Sequence, residues 1–204
     1  MSSSRDIILG RVREALAPLP KRAPLPEWDL SRARSAVAPA GADLWPAFAA
    51  RLRAVNGTPV ASPDELVALL GAKGWHHGYC DPALWPALKA AFPATFTVET
   101  AFDRERVDDY QFGITSAVGA IAETGTIVLN DRGTTTRLAA LAPWVHVAAI
   151  RRENIVPDLA SALAVLGDDP NVIWVTGPSK TADVEGILIE GVHGPGLQVA
   201  LLLD

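Results

Sequence analysis

Short apolar runs alternate with helix-like stretches along most of this chain, and that alternation narrows the fold more than any other feature. Trp75–Cys80, Thr95–Glu99, Phe112–Thr115, Ala117–Ala122 and Thr126–Asn130 read as extended, as do Val145–Ile150, Val172–Thr176, Ile187–Ile189 and Leu197–Leu203. Helical spacing separates several of them, over Pro82–Phe92, Thr135–Leu141 and Pro157–Leu166. A strand covered on both faces needs no polar side, and parallel neighbours need a crossover between them. Apolar runs of roughly four to seven residues joined by helices therefore predict a largely parallel, doubly covered sheet. The class is α/β.

The first part of the chain has a different character. Ser4 precedes a helical pattern that puts Ile7, Ile8, Val12 and Leu16 on about one face, and Pro18, Pro20, Pro24 and Pro26 forbid its continuation. A second helix is expected over 43–55, with Leu44, Trp45, Phe48, Leu52 and Val55 at helical spacing and Gly57 beyond its end. Ser62-Pro63-Asp64-Glu65 has the form of a capping box and starts a third. Residues 1–57 thus read as a helical extension with a Pro-rich linker, and 58–204 as the main domain. Charge follows the same division. Residues 1–60 hold nine Arg/Lys against five Asp/Glu, while the remainder holds nine against eighteen. An acidic body argues against nucleic acid as the principal ligand, and the basic extension suits an acidic partner or the acidic body itself. Met1–Leu16 is charged and amphipathic rather than an apolar leader. Ala139–Ile150, the longest apolar run, falls short of the roughly 18–20 residues that span a bilayer. The expected location is the cytoplasm. The chain has one cysteine, Cys80, which excludes an intrachain disulfide, an all-cysteine zinc site and an iron–sulfur cluster ligated by this chain alone.

Three segments could carry chemistry. Ala122-Glu123-Thr124-Gly125-Thr126 lies between two extended runs. It reads as a hairpin loop with Gly125 in the left-handed conformation, or as a strand end presenting Glu123 as base, nucleophile or anchor. Thr176-Gly177-Pro178-Ser179-Lys180-Thr181 follows a buried run and lacks the glycine spacing of a P-loop. It offers backbone N–H groups, hydroxyls and one ammonium to an anion, or else begins a helix whose dipole Asp183 and Glu185 complement. Gly191-Val192-His193-Gly194-Pro195-Gly196 is a turn between apolar runs, in which His193 is the chemical residue. A polar turn over 130–137 adds Arg137. His76-His77 is a weak metal signal, since neighbours on an extended segment face opposite ways, and no metal site is expected.

In this order the three segments resemble the lactate utilization protein C (LutC) family, which carries the LUD domain. Pro143-Trp144-Val145-His146-Val147 and Glu153-Asn154-Ile155-Val156-Pro157 are also similar to it. The resemblance covers roughly 60–204, and most strongly the part after Phe112. It implies a Rossmann-like open sheet covered by helices, like the sugar-phosphate isomerase and CoA-transferase group. It also implies organic acid metabolism: oxidation of L-lactate to pyruvate by a three-component system, two of whose proteins are cysteine-rich and hold iron–sulfur clusters. This chain would be the component without clusters, with no cofactor of its own.

That resemblance leaves the roles of individual residues open. In the subunit reading a small anionic organic ligand sits at strand ends, held by Thr124, Gly125, Thr126, Arg137, Gly177, Ser179, Lys180, Thr181, Asp183 and Glu185, with Glu123 or His193 at its hydroxyl. One alternative is a stand-alone CoA-transferase-like or isomerase-like enzyme using Glu123. Another is a regulatory protein that binds a small molecule without turnover.

Overall fold

The computed structural model describes residues 3–18, 42–134, 136–166, 169, 171–182 and 186–204. Most of the Pro-rich segment and two expected site residues, Asp183 and Glu185, lie outside the described residues. Helix α1 (Ser4–Leu16) forms a unit of its own, and the described chain from 42 onward forms another. The cap of α1 is Ser3 rather than Ser4: the Ser3 hydroxyl accepts from Asp6 N–H, and the Asp6 carboxylate accepts from Ser3 N–H. None of its residues is buried.

In the second unit the first elements are α2 (Trp45–Ala54), β1 (Thr58–Val60), α3 (Pro63–Ala72), β2 (His77–Cys80), α4 (Trp85–Leu88) and β3 (Thr97–Glu99). They are followed by β4 (Phe112–Ser116), β5 (Gly119–Ile121), β6 (Thr126–Asn130), α5 (Arg137–Leu141) and β7 (Val145–Arg151). The chain closes with β8 (Ile155–Val156), α6 (Leu159–Val165), β9 (Val172–Val175), β10 (Lys180–Ala182), β11 (Leu188–Glu190) and β12 (Leu197–Leu203). Six strands form one sheet in the order β1-β12-β7-β4-β2-β3, and every pairing in it is parallel. The apolar runs behave as such a sheet requires: Val145 to Ile150 of β7 are all buried, alternating between its faces.

One face, with Phe112, Ile114, Val145, Val147, Val199 and Leu201, packs on Leu66 and Leu70 of α3 and Leu88 of α4. The Ser62 hydroxyl accepts from Glu65 N–H to start α3, while the Glu65 carboxylate reaches back to Ala61 N–H rather than to the cap residue itself. The other face, with Ala148, Ile150, Ala200 and Leu202, meets a second sheet as well as helices. That sheet has the order β8-β5-β6-β9, and its β5–β6 and β6–β9 pairs are antiparallel. The tight connection at Glu123–Gly125 decides this, since parallel strands need a long crossover. Helix α2 joins the same core through Phe48 and Leu52, both fully buried, and such side chains each contribute roughly 2 kcal/mol. No helix among the described residues is long and apolar enough to cross a membrane. The long apolar run splits at Pro143 into α5 and β7.

Candidate functional site

Strand β9 ends against α2, and that contact sets the backbone of the second motif. Gly177 has φ +85°, and a Cβ there would collide with the carbonyl oxygen of Val55 just past α2. The turn brings Ser179 beside the third motif: Ser179 N–H donates to the Pro195 carbonyl (2.9 Å), and Gly191 N–H donates to the Ser179 carbonyl (2.9 Å). Gly194 lies against the Ser179 side chain, where a Cβ would come within 3.2 Å. The two loops are laced together along one wall of a cleft of about 240 Å³, which they line from Trp174 to Ser179 and from His193 to Pro195. Ala140 and Leu141 of α5 also line it, and the buried His146 and Gln198 form its floor.

Sheet register makes that floor. Gly113 of β4, His146 of β7 and Gln198 of β12 are cross-strand neighbours on three adjacent strands. The missing side chain at Gly113 admits the carbonyl of Ala139, which lets α5 descend onto the sheet. His146 Nδ1 is 2.9 Å from Gln198 Oε1, and His146 Nε2 is 2.9 Å from Thr115 Oγ1. The Gln198 amide nitrogen donates to the carbonyls of Val199 (3.1 Å) and His146 (3.4 Å), so its oxygen must face the ring. The proton therefore sits on Nδ1, and the Thr115 hydroxyl donates to Nε2. Burial drives the imidazole pKa down to about 4, against a smaller opposing effect from the Gln198 hydrogen bond. The floor is a neutral, fully satisfied chain of donors and acceptors.

Of the expected site residues, Gly177, Ser179 and His193 line this cleft, with His193 exposed at its rim. Thr124, Thr126 and Thr176 form a chain of hydroxyls at 2.7 and 2.8 Å, and Thr176 is the member that reaches the cleft. Gly125 has φ +69° and sits on the backbone of Arg51 and Leu52, as a hairpin residue pressed against a helix. Glu123 stands at the same hairpin tip, its N–H donating to the Pro157 carbonyl, and is not part of the cleft lining. Lys180 is engaged elsewhere: its Nζ lies 3.3 Å from the Val55 carbonyl and 3.3 Å from Glu190 Oε1. Asn56 donates to the same carboxylate at 2.7 Å, and these partners, Asn56 first, hold Glu190 below the usual carboxylate range. Arg137 pairs with Asp131 at 2.8 Å. Thr181 is opposite Ile189 in the β10–β11 hairpin.

One expectation is corrected. No helix begins at Lys180; Lys180–Ala182 is a strand, so no helix dipole is added to the loop. The cleft also lies at the amino ends of the central strands, since His146 and Gln198 are second residues of β7 and β12, whereas open α/β sheets ordinarily bind at carboxyl ends. His146, Gln198, Thr115 and Trp174 were not among the expected site residues. A signal for two of them existed: a polar residue stands second in each of two otherwise apolar runs.

Comparison with known proteins places this architecture. Residues 86–203 match the family described as the LUD domain. The chain is 29% identical over 169 residues to "Lactate utilization protein C" of Geobacillus kaustophilus, covering 76% of this chain and 66% of that protein. It is 35% identical over 99 residues to the protein of that name from Bacillus licheniformis, covering 45% and 41%. The Deinococcus radiodurans protein of that name is 36% identical over 87 residues, covering 40% and 41%. The chain thus spans less than two thirds of the length of these relatives. A crystal structure of a DUF162 family protein from Deinococcus radiodurans superposes with a TM-score of 0.56 at 24% identity, covering 78% of this chain and 96% of that one. It shares the fold.

Proposed function

This chain belongs to the LUD domain family, and from that premise we propose that it serves lactate utilization as the cluster-free subunit of an iron–sulfur system that oxidises L-lactate to pyruvate. The observation that carries the reading is the cleft, where two of the three family-like segments meet over the His146–Gln198 floor. Its polar groups include hydroxyls, imidazoles, the Gln198 carboxamide and backbone amides. The one lysine of these segments is neutralised by Glu190. Such a lining suits a small hydroxy or oxo acid, with His193 and Ser179 at its carboxylate or hydroxyl. The relatives' names support lactate as the acid.

Removing two electrons from a 2-hydroxy acid needs an acceptor that amino-acid side chains do not supply. A cluster does not fit this chain: its one cysteine, Cys80, is fully buried, and burial, with Asp81 adding to it, pushes the thiol up to about 12. The clusters are therefore assigned to two partner subunits, and the acid-binding role to this chain. Cys80 is expected to stay unreactive toward a disulfide reagent in the native protein and to react fully once denaturant is added. Rapid native labelling would contradict the burial.

The decisive measurement is lactate oxidation by the purified partner subunits with and without this chain. The expected result is turnover only in its presence, and loss of turnover with the His193→Ala, Ser179→Ala double variant. Full activity without the chain would end the proposal. Glu123→Gln is expected to leave turnover intact, because Glu123 stands outside the cleft. Loss of activity with it, together with a Glu123 thioester after exposure to an acyl-CoA, would favour the transferase reading instead.

A further inference from the structure

A second cavity, of about 300 Å³, adjoins the cleft through Gly194. Its walls include Trp75, Trp144, Asp108, Gln111 and Gly191. Trp144 is seated in an unusual way. A Cβ at Gly191 or at Gly196 would run into its six-membered ring, so two glycines of one loop form a flat bed for the indole. The backbone on both sides of the ring is tied down as well: Leu197 N–H donates to the Trp144 carbonyl, and Val145 N–H to that of Gln111. Trp144 remains 50% exposed and lines the cavity. Trp75, which also lines the cavity, is partly buried against the core that holds α3.

The polar residues of the cavity differ in kind. Gln111 Oε1 already accepts from the N–H groups of His76 and His77, at 2.8 and 2.9 Å. That fixes the amide and turns its NH₂ to the remaining side as a donor. Asp108 is exposed and supplies an acceptor. An immobilised aromatic platform with one donor and one acceptor nearby matches the flat face and the C=O/N–H edge of a lactam-bearing ring. The volume lies at the lower end of small-molecule sites, about 300–1,000 Å³.

We propose that the cavity lined by Trp75 and Trp144 is a binding site for a planar heteroaromatic ring with a lactam edge, of the guanine or isoalloxazine kind. It is separate from the acid site and does not depend on lactate being the acid. The test is calorimetric titration of the full chain with GMP, FMN and AMP, without lactate. GMP and AMP share the ribose monophosphate, so the difference between them reports the ring, while FMN presents the larger ring on a ribityl phosphate. Saturable submillimolar binding of GMP or FMN, with AMP weaker, is expected, and whichever binds tighter identifies the source of the ring. Trp144→Ala should weaken that binding by about ten-fold, the usual effect of removing a stacking partner. Asp108→Ala, an exposed change that leaves the core intact, should bring the lactam rings down to the level of AMP. No saturable binding of either lactam ring at millimolar concentration would overturn the proposal, as would unchanged binding by Trp144→Ala or equal binding of all three nucleotides.

Discussion

Below about pH 6.5 the folded chain is expected to lose stability at up to roughly 1.4 kcal/mol per pH unit, because His146 is held neutral inside the sheet. In the unfolded chain an ordinary imidazole takes up its proton near pH 6.5, whereas in the fold burial delays this to about pH 4. Between those values the unfolded state binds more protons, so acid favours unfolding. The contribution is complete above pH 6.5, shrinks as pH falls, and is gone at the folded pKa, a total on the order of 3 kcal/mol. Protonation has nowhere to go without disrupting the chain: Nδ1–H already donates to Gln198, and a proton on Nε2 would turn the Thr115 hydroxyl from donor to acceptor. Carboxylates that the fold stabilises, such as Glu190, lose their contribution only as pH falls through the acid range below that of histidine. Urea unfolding in steps from neutral pH to about pH 4.5 measures the slope. His146→Gln should be less stable at neutral pH and should have a flatter profile. A variant with the parent's slope would show that the titrating group is elsewhere.

This histidine also marks the limit of what can be read along the chain. The central sheet was legible because its signal is local: Val145–Ile150 and Leu197–Leu203 carry no polar face, and only strands covered on both sides are written that way. Gly125 was legible for the same reason, as a glycine between two extended runs. The floor of the cleft was not. His146 and Gln198 are 52 residues apart and meet through the parallel register of β7 and β12, which neither strand encodes alone. A lone polar residue in an apolar run shows that something is being satisfied, without saying by whom.

Lys180 is the opposite case. In sequence it is a cation in a glycine-containing loop, a good anion ligand. In the fold, Glu190 from the facing strand and the carbonyl of Val55 take it up. The two strands pair Lys180 with Glu190 across the β10–β11 hairpin, and cross-strand pairs of opposite charge stabilise such ribbons. The charge that suggested an anion site holds a hairpin to the end of α2. Glu123 is similar: it is present where expected, at the hairpin tip, but the cleft formed on the side of β9 and its loop. Motif order identified the family, while the partners of each side chain were decided by tertiary packing.

Gly177→Ala is expected to be the most damaging small substitution at the site, at about 3 kcal/mol or more. Two costs combine. A φ of +85° places an L-residue in the left-handed region, worth roughly 1–2 kcal/mol for any side chain. The added Cβ would also collide with the Val55 carbonyl, a backbone atom that no rotamer change can withdraw. That carbonyl accepts from Lys180 Nζ as well, so pushing it aside disturbs the anchor of the β10–β11 hairpin. For a domain of this size, such a loss lowers the melting temperature by roughly 6–12 °C. Gly186→Ala separates the two costs. Gly186 has φ +76° but nothing within 4 Å of where a Cβ would be, so only the backbone cost applies. Thermal melts of the two variants should therefore differ by at least about a third of the larger effect. The acid binding proposed for the cleft should be lost in Gly177→Ala, since the Ser179–Pro195 lacing follows from the turn at 177, and kept in Gly186→Ala. Equal melting temperatures for the two would mean that the loop gives way without cost. The cleft would then be held by something other than its contact with α2.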